Sequence, residues 1–334
     1  MKAANIRHGI LALGNLLVDR TMLISDYPKE TMLATISDIE WHCGGGCTNI
    51  LFNLAKLDPT LPLYLSGAVG QDSEGQFILR QAQKQHINVE AVSEFPLPTS
   101  FTDVMINRQN GDRTFFHYLG AMSLYGLNSI LHINNPAKIV HIAYLPLLPT
   151  LLNLDTLKQL FNWLHNQGFK ISIDLVSVND KRIFSEYILP TLSYIDYVII
   201  NDVEAKILTD NENCTSTKEN LLLMAQSLLQ QGIKETIVIH CPSWAVACNQ
   251  QHETQAIPSY WVEKQNIVST LGAGDAFCAG ILYGLHQEMS LQETLKLGHC
   301  LAYFNLFSLS ATDGAVSYQT ALAFQSQMSQ EQQN

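Results

Sequence analysis

The sequence predicts an α/β fold with a mostly parallel central sheet and a small β lid, and two patterns support this prediction. Short apolar runs alternate with longer segments of helical periodicity, such as residues 151–167 and 218–231, as expected for buried parallel strands joined by helices. Polar or glycine residues follow several runs, at the strand ends where open α/β sheets bind ligands. The runs are residues 10–13, 63–65, 139–142, 171–173, 197–200 and 236–239.

Two segments interrupt this rhythm, residues 21–43 and 99–120, and we predict that both form strands of the lid. In the second segment, alternating polar and apolar residues lead to Asn110 and Gly111, which are a strong signal for a hairpin turn. The open β edges of such a lid are consistent with a homodimer formed through it. The predicted main α/β domain, which binds nucleotide and substrate, comprises residues 1–20, 44–98 and 121–330.

Composition limits the classes of function. The chain has 334 residues and 47% hydrophobic content, enough for a large core. Its net charge of −11 disfavours nucleic acid and membrane surfaces as partners. Seven scattered cysteines are typical of a reducing compartment, and no segment resembles a signal peptide or a membrane span, so we expect a cytoplasmic protein. Cys43 and Cys47, a close pair without further ligands nearby, do not predict a zinc site.

The most informative segment is residues 269–277, which reads Ser-Thr-Leu-Gly-Ala-Gly-Asp-Ala-Phe. Gly272 and Gly274 lack the Cβ atoms that would keep backbone N–H groups from converging on a charged ligand, and a predicted helix begins beside them. Residues 269–274, here called the glycine loop, are therefore predicted to bind an anion next to the carboxylate of Asp275. For an isolated motif of this kind, a helix-capping role for Asp275 is the commoner explanation.

Six motifs, in order from Gly14 to Asp275, resemble those of the ribokinase-like (PfkB) carbohydrate kinases. The glycine loop with Asp275 is similar to the signature Asp-Thr-x-Gly-Ala-Gly-Asp at five of six fixed positions, with Ser269 in place of the first Asp. Each motif is weak alone, but together they span nearly the whole chain. The resemblance implies a three-layer α/β/α ribokinase-like fold and phosphoryl transfer from ATP. The other motifs lie at residues 14–19, 42–49, 67–75, 111–121 and 201–204.

The resemblance implies that the glycine loop binds the phosphoryl group that is transferred. The backbone N–H groups of Gly272, Ala273 and Gly274 would hold its oxygens, and Thr270 would contact the nucleotide. Asp275 would take the proton of the attacking hydroxyl as general base.

The resemblance also bears on cations. Asn201 and Glu204 can face one way on a first helical turn, and in the family this pair helps to place Mg²⁺ and its water near the phosphates. The alternative for this pair is an Asn helix cap followed by a solvated Glu. Many relatives have an Asp at the position of Ser269, in a loop that binds a monovalent cation. Because a neutral hydroxyl attracts a cation weakly, we expect K⁺ binding to be weak or absent.

Five residues are candidates for binding the acceptor. Asp19 can accept hydrogen bonds from two adjacent hydroxyls of a polyol. By resemblance, Asn15, Asn49 and the backbone of Gly44 and Gly45 would complete the floor of the site, since glycines let a sugar approach the main chain closely. A plain turn after the first strand explains Asn15 and Asp19 almost as well.

One segment departs from the family pattern. Relatives usually carry Thr-x-Gly-x-x-Gly after the strand at residues 236–239, whereas residues 240–245 read His-Cys-Pro-Ser-Trp-Ala. We therefore expect different surroundings for the ribose and adenine, and a donor other than ATP stays open. The sequence predicts an ATP-dependent kinase of a monosaccharide or sugar derivative. A nucleoside kinase and a catalytically idle sugar-binding protein are the alternatives.

Overall fold

The structure is a computed structural model that describes residues 7–331. Within those residues, the strands form one sheet of nine strands and one of four. The strands are β1 (Ile10–Gly14), β2 (Leu17–Ile24), β3 (Ile36–Gly44), β4 (Leu63–Gly70), β5 (Asn88–Phe95), β6 (Phe101–Asn107), β7 (Arg113–Tyr118), β8 (Ile139–Ala143), β9 (Lys170–Asp174), β10 (Tyr197–Asn201), β11 (Thr236–His240), β12 (Trp244–Asn249) and β13 (Thr254–Pro258). The helices are α1 (Gly46–Leu57), α2 (Ser73–Lys84), α3 (Leu127–Ile130), α4 (Leu154–Asn166), α5 (Asp202–Leu208), α6 (Lys218–Leu229), α7 (Ala273–His286), α8 (Leu291–Asn305) and α9 (Tyr318–Glu331).

The large sheet is mostly parallel, as predicted. Its strand order is β13-β12-β11-β10-β9-β8-β1-β4-β5, and neighbouring strands are parallel from β11 to β5. Each predicted apolar run lies in one of these parallel strands. The antiparallel strands β12 and β13, which the sequence did not predict, extend one edge of the sheet.

Helices flank the large sheet and complete the three-layer α/β/α arrangement. Helix α7 packs against both α1 and α8, α4 packs on β9, and α6 packs on β11 and β12. Strands β1 and β8 are buried along their whole length, as parallel strands covered on both faces are. Among the helices that the structure describes, none combines the length and apolar character needed to cross a bilayer.

The small sheet contains the segments that interrupt the sequence rhythm. Its order is β3-β2-β6-β7, with β2 antiparallel to β3 and parallel to β6. The guanidinium of Arg20 on β2 lies 3.8 Å from the ring centre of Phe101 and forms a two-pronged ion pair with Asp103, both on β6. This arrangement joins two strands that are far apart in sequence. The division of the chain into a main domain and a lid, residues 21–43 and 99–120, stays a prediction.

The parallel strands of the large sheet end together at one edge. Gly14 pairs with Ala143, Asn201 pairs with His240, and Asp174 pairs with Ile199, two residues before Asn201. The residues that follow β1, β8, β9, β10 and β11 therefore meet along this edge, which is where open α/β sheets place their ligand sites.

Candidate active site

The glycine loop leads into α7 through a left-handed turn. Gly272 is the N-cap of α7, with φ 74° and ψ 1°, and a Cβ at this position would lie 2.4 Å from the Cβ of Ala311. Both the conformation and the space therefore require glycine. At Gly274 the nearest atom to an added Cβ is His240 Cε1, at 3.8 Å. Open space in front of Gly274, at the positive end of a helix, suits an anion.

Asp275 lies in the first turn of α7 and is buried. Its oxygens accept hydrogen bonds from the Tyr144 hydroxyl at 2.7 Å and from the Asn49 side-chain amide at 2.8 Å. Burial raises the pKa of Asp275 to about 7, the Tyr144 hydrogen bond opposes this rise, and the charge of Asp174 adds to it. A carboxylate with a pKa near neutrality can both accept and release a proton at physiological pH.

The glycine loop, Asp275 and the ends of β9, β10 and β11 enclose a cavity of about 280 Å³, here called the phosphate cavity. Three of its walls carry carboxyl groups, so an anion bound in this cavity needs cations to offset the repulsion from those groups. Its polar lining includes Asp174, Ser177, Asn201, Glu204, His240 and Asp275.

Asn201 and Glu204 are joined in a capping box at the start of α5. The Asn201 side chain accepts the Glu204 N–H at 2.9 Å, and the Glu204 carboxylate accepts the Asn201 N–H at 3.0 Å. Asn201 is therefore a helix cap, but Glu204 is not solvated, because it is only 1% exposed. Burial raises the pKa of Glu204 to about 7, with the charge of Asp174 as a further cause.

Two residues of this cavity were given no role by sequence reasoning, although Asp174 was noted as a polar residue at the end of an apolar run. Asp174 ends β9 beside Glu204, and the only available signal was a polar residue directly after an apolar run. Tyr144 follows β8 in the left-handed region, with φ 52° and ψ 46°, and its backbone N–H donates to Asp174. Its ring approaches Gly46 so closely that a Cβ there would lie 3.2 Å from two ring carbons. Nothing local in the sequence indicates this placement.

Asp19 lies on β2 against the backbone of Gly44. A Cβ on Gly44 would lie 2.1 Å from Asp19 Oδ2, so this close approach also depends on glycine. Burial raises the pKa of Asp19 to about 6, while the charge of His42 and a hydrogen bond from Thr102 oppose that rise. The carboxylate is therefore held in a partly desolvated position, unlike that of a surface turn.

Two amide oxygens near Asp19 have no partner. Among the described side chains, Oδ1 of Asn15 and Oδ1 of Asn49 are buried without a hydrogen bond. An unsatisfied buried acceptor costs about 1–3 kcal/mol, and a hydroxyl donor from a ligand would recover that energy. Gly45 lies next to them as the N-cap of α1. The residues predicted to bind an acceptor thus lie together.

A cavity of about 450 Å³, here called the acceptor cavity, extends from Asp19 between the small sheet and the glycine loop. Its walls combine polar groups near Asp19 with aromatic rings farther out, and the rings of Trp41 and Phe77 meet edge to face at 6.4 Å. Sequence reasoning did not identify this aromatic wall, because its members come from four separate elements or loops. The aromatic residues are Trp41, Phe52, Phe77 and Phe115.

Ser269 and the segment 240–245 depart from the family pattern, and each has a local structural role. Ser269 is buried, and its hydroxyl accepts the Leu271 N–H at 3.1 Å, while Thr270 is exposed on the same loop. Residues 241–243 of the segment 240–245 form the tight turn between β11 and β12. The His240 ring lies 4.5 Å from that of Phe277, and burial lowers the His240 pKa to about 4. His240 is therefore neutral at physiological pH and adds no positive charge to the phosphate cavity.

Comparisons with known proteins identify the family and the fold. The family model described as pfkB family carbohydrate kinase matches residues 8–317. Adenosine kinase of Schizosaccharomyces pombe is 24% identical over 271 residues, which are 79% of each chain. The structure of Arabidopsis thaliana ribokinase complexed with ribose and ATP superposes with a TM-score of 0.78 at 19% identity, covering 95% of this chain and 98% of that one. An E. coli protein described as a ribokinase II, in complex with ATP and Mg²⁺, gives 0.75 at 17% identity, covering 96% and 99%. The ribokinase-like fold is thereby confirmed.

Proposed function

Because this chain belongs to the pfkB family of carbohydrate kinases, we propose that it transfers the γ-phosphoryl group of ATP to a hydroxyl of a monosaccharide or sugar derivative. The observation that carries the proposal is the position of Asp275. This buried carboxylate lines the phosphate cavity and is hydrogen-bonded to Asn49, which belongs to the acceptor floor. A group placed between two substrates, with a pKa near 7, is suited to accept the proton of the attacking hydroxyl.

The residues around the phosphate cavity support an in-line transfer. The acceptor oxygen attacks the γ-phosphorus, its proton passes to Asp275, and the bond from the γ-phosphorus to the β-γ bridging oxygen breaks to release ADP. The N–H groups of Gly272 and Gly274, at the start of α7, stabilise the charge on the transferring group. The Ala273 N–H joins them by giving up its 3.3 Å hydrogen bond to the Thr270 carbonyl. Thr270, exposed on the glycine loop, contacts the rest of the nucleotide.

The cation requirement follows from the charge of this cavity. Glu204 and Asn201 offer oxygen ligands, and Asp174 adds a third oxygen donor on the same cavity. An all-oxygen set with room for water fits hydrated Mg²⁺. When bound, Mg²⁺ neutralises charge on the phosphates. At Ser269 the hydroxyl is already hydrogen-bonded within the loop, which supports weak or absent binding of a monovalent cation.

The acceptor floor fits a polyol. Asp19 accepts hydrogen bonds from two neighbouring hydroxyls, and the unpaired amide oxygens of Asn15 and Asn49 accept from others. The backbone of Gly44 and Gly45 lets the ring of the acceptor lie against the main chain. These contacts orient one hydroxyl towards Asp275.

The aromatic wall of the acceptor cavity favours a second candidate, a nucleoside kinase. A free monosaccharide would leave the rings of Trp41, Phe77 and Phe115 largely uncovered, whereas a nucleoside base would cover apolar surface there and stack on aromatic faces. The relative from Schizosaccharomyces pombe, named adenosine kinase, is consistent with this candidate.

A panel of sugars and nucleosides, assayed for ADP formation with Mg²⁺ and ATP, tests both candidates. Phosphorylation of sugars alone supports the first, and preferential phosphorylation of nucleosides supports the second. Trp41→Ala separates them further, since it should raise the KM of a nucleoside but leave that of a free sugar nearly unchanged. Tight acceptor binding without any turnover would overturn the proposal and favour an idle sugar-binding protein.

A further inference from the structure

A buried cluster with mixed ligand chemistry lies next to the phosphate cavity. His141 is in the middle of β8, Asp174 ends β9, and Cys278 is on α7. All three are buried, and their ligand atoms lie within 4.8 Å of one another. His141 and Cys278 have no part in the phosphoryl transfer proposed above, so their placement requires a separate explanation.

The two distances from His141 Nε2 to the other ligand atoms fit a common metal ion. His141 Nε2 lies 3.4 Å from Asp174 Oδ2 and 3.7 Å from Cys278 Sγ. A tetrahedral zinc ion with bonds of about 2.0–2.3 Å places its ligands about 3.3–3.6 Å apart. An N–H···O hydrogen bond is usually about 2.7–3.2 Å long. The imidazole and carboxylate lie slightly beyond that length, at a spacing that suits two ligands of one ion. The contact from Nε2 to Sγ is also within reach of a hydrogen bond from the Cys278 thiol, which a metal ion would replace.

The neighbours of the cluster orient these ligands. His141 Nδ1 lies 3.0 Å from the Ser172 hydroxyl. With Nδ1–H donating to that oxygen, Nε2 presents its lone pair to the cluster, which is the usual arrangement of a metal-binding histidine. Oδ1 of Asp174 accepts a hydrogen bond from the Tyr144 N–H, and Oδ2 is the oxygen that faces His141.

We propose that His141, Asp174 and Cys278 form a binding site for a borderline-soft divalent cation, and that Zn²⁺ is the best fit. Imidazole and thiolate favour Zn²⁺ over Mg²⁺, which prefers oxygen alone. On binding, the Cys278 thiol releases its proton to solvent and the thiolate coordinates the ion. Asp174 and Cys278 line the phosphate cavity, so the ion enters from that cavity and its fourth position is open towards it.

An ion at this site should inhibit the kinase. It would withdraw Asp174 from Mg²⁺ and place a second dication in the cavity that contains Asp275 and the glycine loop. This inhibition rests on the proposed function. The binding of the metal does not, and the two are measured separately.

Cobalt provides a direct test, because Co²⁺ replaces Zn²⁺ and its spectrum reports coordination geometry and thiolate ligation. The protein is titrated with Co²⁺ in the absence of Mg²⁺ and in the presence of a non-thiol reductant. We expect one equivalent to bind with tetrahedral d–d bands and a thiolate charge-transfer band. Cys278→Ser should lose the charge-transfer band, and Ser172→Ala should keep it while binding Co²⁺ about 10–100-fold more weakly. Cys300→Ser is the matched control, a buried thiol whose neighbour is the Ala321 carbonyl, and should behave as wild type.

Two results would overturn the metal site. One is a folded wild-type protein that shows no thiolate band with Co²⁺, and the other is a band that persists in Cys278→Ser. Near-ultraviolet circular dichroism checks each fold, and Cys278→Ala replaces the serine variant if that one does not fold. In a separate assay, Zn²⁺ should inhibit ADP formation at least about tenfold less in Cys278→Ser than in wild type. Intact Co²⁺ binding without any kinase activity would overturn the proposed function and leave the metal site standing.

Discussion

Asp275 accepts a hydrogen bond on each oxygen, and the two bonds have different consequences. The bond from Asn49 ties the carboxylate to the acceptor floor, whereas the bond from Tyr144 comes from the side of β8 and Asp174. Both donors favour the ionised form, and burial opposes them. The balance leaves Asp275 with a pKa near the pH at which a general base is most effective.

Removing the charge of Asp275 should abolish the proton acceptor while leaving its volume. We expect Asp275→Asn to lower kcat by about 100–10,000-fold, with ATP binding nearly unchanged. Steady-state kinetics and ATP titration check this expectation, with the exposed Asp155→Asn as the control. Retention of more than about a tenth of the wild-type kcat would exclude Asp275 as the general base.

Tyr144→Phe tests the hydrogen bond without removing the carboxylate. Loss of a donor to the ionised form should raise the pKa of Asp275 further, by about one unit. Because only ionised Asp275 accepts a proton, the rising limb of kcat/KM near pH 7 should move to higher pH. The pH-rate profile measures this shift, and Tyr125→Phe, a buried tyrosine bonded to Ser66, is the control. An unmoved limb would leave Tyr144 with a structural role only.

The start of α7 shows how one element combines a requirement of the fold with a requirement of the chemistry. Gly272 has a left-handed backbone and contacts Ala311, while Gly274 is helical and open towards the phosphate cavity. The two glycines are therefore needed for different reasons. This separation makes them a matched pair for substitution.

We expect Gly272→Ala to lower the free energy of unfolding by about 1–3 kcal/mol, since it combines a positive φ with a clash. Gly274→Ala should instead fold at least as stably as wild type, because alanine favours helices. Its methyl group would project into the phosphate cavity and lower kcat/KM for ATP at least about tenfold. Chemical denaturation and kinetics on both variants test the contrast. Equal losses of stability, or a Gly274→Ala enzyme with wild-type kinetics, would contradict it.

Across the whole molecule, sequence reasoning can name candidate residues where the proposed site is built from contiguous residues. Asp275 and its glycines, and Asn201 with Glu204, are close in sequence and therefore visible as motifs. Tyr144 follows β8 and Asp174 ends β9, and only the pairing of these two strands brings the residues together. The aromatic wall likewise depends on long-range packing. The antiparallel strands β12 and β13 were missed because the turn at residues 241–243 carries no glycine.

The buried carboxylates also make stability depend on pH in a defined direction. Burial raises the pKa of Asp19 to about 6, and those of Glu204 and Asp275 to about 7. In the unfolded chain these groups titrate near 4. Between about pH 4 and pH 7 the folded state keeps protons that the unfolded chain has lost. The stabilisation that these carboxyl groups give to the folded state is therefore complete below about pH 4, and it is lost as the pH rises through about 7. Burial lowers the pKa of His240 and His299, so these histidines destabilise the folded state as the pH falls below about 6.5.

Comparing wild type with Asp275→Asn isolates the contribution of Asp275 to the free energy of unfolding, because the histidines contribute equally in the two proteins. The side-chain amide of the variant does not ionise. The free energy of unfolding of the variant, relative to that of wild type, should therefore rise by about 2–4 kcal/mol as the pH increases from about 4 to about 8. Urea unfolding at several pH values, with neither ATP nor Mg²⁺ present, measures this difference. A difference that stays constant with pH would mean that Asp275 titrates like an ordinary exposed Asp. The near-neutral pKa required of the proposed base would then be absent, even if the variant had lost its activity.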